Sequence, residues 1–556
     1  MIRLKKCFLL FIVLINYIKG ENEEIKITIK QGSLKGKVQQ SRNGSKYYTF
    51  LSIPYAKPPV GELRFKPPKE PEAWDDEVKD ATIPSPICFQ KKIFLISDST
   101  PSISEDCLYL NVYTPQISEA NLPVIVYIHG GSLISGYGSQ YQPDYILDNS
   151  VVFVTFNYRL GILGFLSAVD DILPGNYGLK DQVAALRWVQ KNIAAFGGDP
   201  KQVTLFGSSA GGTSVDFHLY SPLSTGLFQR AIVQSGSALS FWSYTSSEIA
   251  RQKAFALGLL SGCTGNTTRV LLKCLQKIPA KELIETHDKF LVWHTNPIPF
   301  SIVIEPKNVK DAFVTENPWK YRVINDVPIM FGITSGEGGL KAYSYLSNNG
   351  KLADEINENY KRLFPIIFNY GYWLPEEKLD VITEKLKHFY FGNKSIGMDT
   401  AKELVDIHTD VYFAYPSIKS ARRHPASVYY YYYNHKNKFT IGQLLGDYKK
   451  DLGVCHGDDV LSLFPFVFPK ITDGPDLSVS QRMIKYFYNF AKTGNPNEKE
   501  DLWKPVTSDD FEYLHITTDE DKMENFLLND RYTFWKNLEA DPVFDVEFVK
   551  LLKDEF

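Results

Sequence analysis

Cysteine is scarce in this chain, and what there is avoids metal spacing. Six of the 556 residues are cysteine, with no C-x2-C pair and no H-E-x-x-H stretch. No metal is therefore expected, and no other cofactor is called for. An excess of one charge is also missing. The 61 basic and 64 acidic residues leave a formal net charge of −3, and no basic run is long enough to suggest nucleic acid as a partner. Internal repeats and low-complexity stretches are lacking, so one large domain with excursions is the simplest organisation.

The N-terminus does carry an apolar run, from Cys7 to about Ile18, behind the basic Met1-Ile2-Arg3-Leu4-Lys5-Lys6. It is shorter than the ~20 residues a membrane span needs. It reads as a secretory signal over residues 1–20, cleaved after Gly20, which leaves 21–556 as one unit without an integral span. Removal of Cys7 would leave Cys88, Cys107, Cys263, Cys274 and Cys455. Four cysteines can pair in three ways, with 88–107 and 263–274 closing the shortest loops. Cys455, directly before His456, reads as a buried small residue rather than a catalytic thiol. Three N-x-[ST] sequons suit the same compartment, at Asn43, Asn266 and Asn393. The terminal Lys553-Asp554-Glu555-Phe556 is one residue from K-D-E-L. It reads equally as a retrieval signal for the endoplasmic reticulum or as a charged tail.

The element pattern is that of an α/β protein. Short alternating runs from 25 to 52 predict an antiparallel meander. Segments 124–128 and 151–156 are apolar almost throughout, as a parallel sheet covered on both faces requires, 230–235 reads as another strand and 326–333 as a further buried one. Helical spacing at Val183, Leu186, Val189 and Ile193 predicts a helix over 178–196. The middle, 240–320, reads as helix and loop, and 353–425 as mostly helical. Five consecutive tyrosines, 429–433, read as one aromatic strand rather than a ligand box. Helices are predicted over 481–492 and 531–538, with a strand at 513–516. Strands alternating with helices argue for a large, mainly parallel central sheet with helices on both faces.

Within that frame one pentapeptide stands out, Gly207-Ser208-Ser209-Ala210-Gly211, between an apolar strand and a small-residue helix start. G-x-S-x-G there can hold a serine on a strained turn with its hydroxyl exposed. Serine is a weak nucleophile near neutral pH. It needs a base, a group to orient the base, and donors for the oxyanion that develops. The donors are expected in His129-Gly130-Gly131-Ser132, after the strand ending at Ile128. Gly131 and Ser132 would supply N–H groups there, together with Ala210 after the nucleophile. The acid should follow a later strand, where Glu337 sits in a glycine-rich loop. The base should come last, which selects His456 in a glycine-flanked loop over His515 inside a short strand.

These residues resemble the type-B carboxylesterases and cholinesterases of the α/β-hydrolase fold. The resemblance spans nearly the whole chain. Its landmarks are E-D-C-L-Y-L-N-V-Y-T-P at 105–115, F-N-Y-R at 156–159, N-Y-G-L-K-D-Q at 176–182, A-F-G-G-D-P at 195–200 and A-K-T-G-N-P at 491–496. The overall pattern is most similar to secreted insect esterases of the general or detoxifying type. The resemblance implies a Ser209/Glu337/His456 triad, disulfides Cys88–Cys107 and Cys263–Cys274, and a supporting hydroxyl at Ser235 near the His–Glu pair. It also implies a small-molecule ester as substrate.

Departures from the family pattern are specific. Ser132 replaces the third glycine of the oxyanion loop, Ser208 the usual acidic residue before the nucleophile, and Asp216 a frequent histidine. The 88–107 loop has no tryptophan, so the cation–π platform of a choline esterase is missing. Two other functions fit such a chain: a catalytically silent adhesion or signalling relative, and a lipase for long-chain esters. The intact set of three catalytic residue types argues against the first.

Overall fold

Strand Leu122–Ile128 explains why the predicted strands have so few polar residues. Val124, Val126 and Ile128 enter one buried cluster, and Ile125 and Tyr127 enter the other, so both faces of the strand are covered. The same parity recurs along Ile329–Thr334, where Ile329, Phe331 and Ile333 face one core and Met330 the other. Burying each such side chain contributes roughly 1.5–3 kcal/mol, which leaves no position in the strand free for a polar residue.

This computed structural model describes residues 25–91, 101–117, 120–498, 502–507 and 510–540. The expected signal segment and the terminal K-D-E-F lie outside the described residues. The strands in chain order are β1 (Ile25–Ile29), β2 (Gly32–Gln40), β3 (Lys46–Pro54), β4 (Trp74–Asp80), β5 (Ile87–Cys88), β6 (Ile103–Ser104), β7 (Tyr109–Thr114) and β8 (Leu122–Ile128). There follow β9 (Val152–Phe156), β10 (Gly198–Ser208), β11 (Arg230–Gln234), β12 (Ile329–Thr334), β13 (Val428–Tyr433), β14 (Tyr513–Ile516) and β15 (Asp521–Glu524).

One sheet runs β1-β2-β3-β7-β9-β8-β10-β11-β12-β13-β14-β15, with β4 added to β2. From β9 through β14 every neighbouring pair is parallel. The β1-β2-β3-β7 end is the antiparallel meander. Helices Tyr177–Asn192 and Ala210–Leu219 pack on one face, through Val183, Leu186, Val215 and Leu219. Helix Gly474–Thr493 covers the other through Met483, Phe487 and Phe490. The tyrosine run is β13, between β12 and β14.

Two family landmarks meet in a buried ion pair. Arg159 clasps Asp181 with Nε and Nη2, each 2.7 Å from a carboxylate oxygen. Both disulfides, Cys88–Cys107 and Cys263–Cys274, are present, and Cys455 is free and buried. β4, with the sequence W-D-D-E-V-K-D, and β15, D-K-M-E, are strands the pattern did not announce. Both are polar because they sit at sheet margins, where one side of the ladder meets solvent.

Candidate active site

Close packing of glycines builds the turn at Ser209. At the end of β10 the backbone reverses at Ser209, φ 58° and ψ −124°, directly before helix Ala210–Leu219. That conformation is costly for a residue with a side chain and persists only where the surroundings enforce it. A Cβ on Gly207 would lie 2.4 Å from the Gly211 carbonyl, and one on Gly211 would lie 2.0 Å from Ile128 O. Glycines are therefore required on both flanks so that strand, turn and helix can close on β8. The Ser209 amide donates to Gln234 O at 2.8 Å, tying the turn to β11.

The loop after β8 abuts this turn. A Cβ at Gly130 would stand 2.8 Å from Ser208 O and 3.0 Å from Ser209 Cβ. Gly131 has φ +107° and Ser132 φ 56°, so the chain turns through left-handed conformations beside the serine. Ala210 is the first residue of its helix, where an amide has no intrahelical acceptor. Three groups fix the loop. Tyr158 Oη donates to His129 O at 2.9 Å and its ring stacks on the His129 imidazole at 4.4 Å. Gln90 receives the Gly136 amide at 2.8 Å and donates to Gly136 O at 3.0 Å. Gln90 follows Cys88, so the Cys88–Cys107 bridge anchors the loop's far end. Burial lowers the His129 pKa to about 4, so its ring is neutral at physiological pH.

Glu337 and His456 come together from loops after β12 and β13. Their carriers are joined by a parallel bridge between Gly336 and Cys455, with the Gly336 amide 2.9 Å from Val454 O. His456 Nδ1 lies 2.5 Å from Glu337 Oε2. The other carboxylate oxygen accepts from Ser235 Oγ at 2.6 Å and from the Thr334 amide at 2.8 Å. Glu337 is fully buried, and its partners hold it in one orientation. Phe413 stacks on the His456 ring at 4.4 Å.

Ser209 and Phe413 line the same cavity, of about 330 Å³, with Ser132, Trp242, Leu340, Lys341 and Tyr412 on its walls. Ser209 and His456 do not hydrogen-bond to each other in this conformation; contact between a nucleophile and its base tightens in the complex with substrate. His515 lies apart, on β14, with Nδ1 3.0 Å from Glu524 Oε1.

Several residues near the site escaped the sequence reading. Asp458 accepts from the Cys455 amide at 2.8 Å and the Ile441 amide at 2.8 Å, which shapes the histidine loop. Burial raises its pKa to about 7. Asp459 accepts from Tyr431 Oη at 2.9 Å and is pushed to about 6, first by burial and then by the charge of Glu337. An aspartate after a histidine carries no such signal; the role is set by the fold. Cys455 is 1% exposed, and burial raises its thiol well above the usual range, which leaves it a poor nucleophile. Asp216 accepts from the Ala238 amide at 2.7 Å and from the Ser237 and Ser420 hydroxyls, so it ties the elbow helix to the segment after Ser235. Ser208 is buried, and nothing in the structure explains it in place of an acidic residue. Asn43, Asn266 and Asn393 are all exposed. Among the described residues there is no cluster of metal-ligating side chains, and no helix is long and apolar enough to cross a membrane.

Comparison with known proteins gives a consistent picture. A family model described as the carboxylesterase family matches residues 23–535. Venom carboxylesterase-6 of Apis mellifera is 34% identical, covering 95% of this chain and 97% of its own. Esterase FE4 of Myzus persicae is 38% identical, covering 88% of this chain and 89% of its own. Among solved structures, juvenile hormone esterase from Manduca sexta, with OTFP covalently attached, superposes with a TM-score of 0.84 at 28% identity. That match covers 93% of this chain and 100% of the other.

Proposed function

The chain belongs to the carboxylesterase family and is a carboxylic ester hydrolase of the α/β-hydrolase fold, and on that premise we propose that it works through an acyl-enzyme carried on Ser209. Ser209 Oγ attacks the ester carbonyl while His456 Nε2 takes its proton. Glu337, hydrogen-bonded to Nδ1, holds the imidazole in the tautomer that leaves Nε2 free and stabilises the imidazolium that forms. The N–H groups of Gly131, Ser132 and Ala210 receive the oxyanion. His456 then protonates the departing alcohol, and afterwards activates the water that releases the acid. No step requires a metal or cofactor.

The observation that carries this reading is the Ser235–Glu337–His456 hydrogen-bonded chain, set by the Gly336–Cys455 bridge beside a serine on a strained turn. Treatment with a fluorophosphonate, followed by peptide mapping, tests it. Stoichiometric modification of Ser209 is expected. An unreactive protein, or a label mapped elsewhere, rejects the assignment, and an unreactive protein favours a silent relative.

The same proposal places the protein in the secretory pathway as a single unit over 21–556. Two disulfides and three exposed sequon asparagines support that placement. Export would follow cleavage after Gly20, unless the terminal Lys553-Asp554-Glu555-Phe556 retains the protein in the endoplasmic reticulum.

A further inference from the structure

Lys341 sits where the fold serves a lysine poorly. It lies in the first turn of helix Gly339–Ile367, the end at which the helix dipole disfavours a cation. Its side chain is half-buried and lines the cavity that contains Ser209. Its ammonium donates to two neutral oxygens, Thr295 Oγ1 at 2.9 Å and Asn296 Oδ1 at 3.2 Å. Among the described residues no carboxylate is within ion-pair distance of it. Burial lowers its pKa to about 8, so it remains mostly charged at neutral pH.

Among the described residues the other charges on the cavity wall cancel. Lys91 and Asp288 pair with each other. Burial lowers the pKa of His287, which favours its neutral form. Among the described residues Lys341 is left as the uncompensated charge on that wall, with three N–H donors and two protein acceptors. A half-desolvated cation without a counter-ion favours an anion brought by a ligand.

We propose that Lys341 is a specificity-determining residue that binds a carboxylate carried by the ester substrate itself, so that the enzyme prefers monoanionic esters over neutral esters of the same size. This rests on Ser209 as the site of ester cleavage. The substrate class is the half-esters of dicarboxylic acids, or esters whose alcohol bears a carboxylate. The competing account is structural: the two hydrogen bonds of Lys341 fasten the 294–299 segment to the helix, and substrate charge is irrelevant.

Two matched pairs of substrates separate these accounts. One is 4-nitrophenyl hydrogen glutarate against 4-nitrophenyl pentanoate, with the charge on the acyl side. The other is 3-carboxyphenyl butyrate against phenyl butyrate, with the charge on the alcohol side. In the wild-type protein at least one pair should show kcat/KM higher for the anionic member by about tenfold or more, the effect of one charge-assisted hydrogen bond. Lys341→Met and Lys341→Gln should abolish that ratio, and Lys341→Arg should retain most of it. Active-site titration with a fluorophosphonate normalises each variant to its folded sites. If a neutralised variant fails to fold, the wild-type ratio and its loss at high ionic strength decide the matter. Ratios near one in the wild type, or ratios that Met and Gln leave unchanged, overturn the proposal while Ser209 chemistry stands. Failure of the wild type to hydrolyse any of the four esters overturns the underlying reading as well.

Discussion

Glu337 and His456 are 119 positions apart in sequence, yet Oε2 of one lies 2.5 Å from Nδ1 of the other. The Gly336–Cys455 bridge makes this possible, because it fixes the two loops at adjacent residues. Glycine is needed at 338 as well, where a Cβ would lie 2.0 Å from Val405 O. Removing the charge while keeping the shape tests the contact. Glu337→Gln should lower kcat by about 10³–10⁴, because the imidazolium loses its partner and the amide can favour the wrong tautomer. Ser235→Ala removes one donor to the carboxylate and should lower kcat about tenfold. Steady-state kinetics on a neutral ester measures both, and equal effects of the two changes would contradict the arrangement.

Gln90 links a disulfide to the oxyanion loop, so its loss should act on turnover more than on binding. With two hydrogen bonds to Gly136 removed, Gln90→Ala is expected to cost about 1–2 kcal/mol in transition-state stabilisation, roughly tenfold in kcat. KM should change little. A rise in KM with kcat intact would show that Gln90 serves binding instead.

Gly211 and Gly226 offer a controlled comparison. An alanine Cβ at 211 would meet backbone at 2.0 Å, which cannot yield as a flexible side chain could. Gly226 has φ +78° and open space around it, so alanine there meets only backbone strain. Gly211→Ala should destabilise by about 3 kcal/mol and lose most activity, against about 1 kcal/mol with activity kept for Gly226→Ala. Thermal unfolding and ester turnover measure the pair, and a tolerated Gly211→Ala would contradict the close-packed elbow.

The preference for anionic esters should itself depend on pH. Lys341 is charged below about pH 8 and neutral above it, so the anionic-to-neutral ratio should be full near pH 7 and fall as pH rises through 8. The groups facing it do not confuse this sign. Burial lowers the pKa of His287, His294 and His408, all three being neutral in that window, and Lys91 is paired with Asp288. Ratios measured from pH 6.5 to 9.5 should follow one descending step, whereas a flat profile speaks against Lys341.

The parallel core was legible because its chemistry is local. Strands β8, β9 and β12 are buried on both faces, so their residues are almost all apolar, and that composition can be read without a fold. The elbow was legible for a related reason: close backbone approach demands glycine, and glycines at fixed spacing leave a pattern. β4 and β15 were not legible, because a polar margin strand composes itself like a loop. Nor was the role of Gln90, Asp459, Phe413 or Lys341. Each acts through a partner brought up from distant sequence, and nothing in the neighbouring residues records that partner. Helix Gly474–Thr493 begins earlier than the predicted 481 because Pro475 lies in its first turn, where its missing N–H costs nothing.

The measurement bearing most directly on the account is ester turnover by Ser209→Ala, beside the wild type, on one neutral 4-nitrophenyl ester. Loss of Oγ leaves nothing to carry the acyl group, so kcat should fall by about 10⁵ or more, and fluorophosphonate labelling should vanish while thermal stability is kept or improved. Turnover within tenfold of the wild type would place the nucleophile elsewhere and contradict the account at its centre.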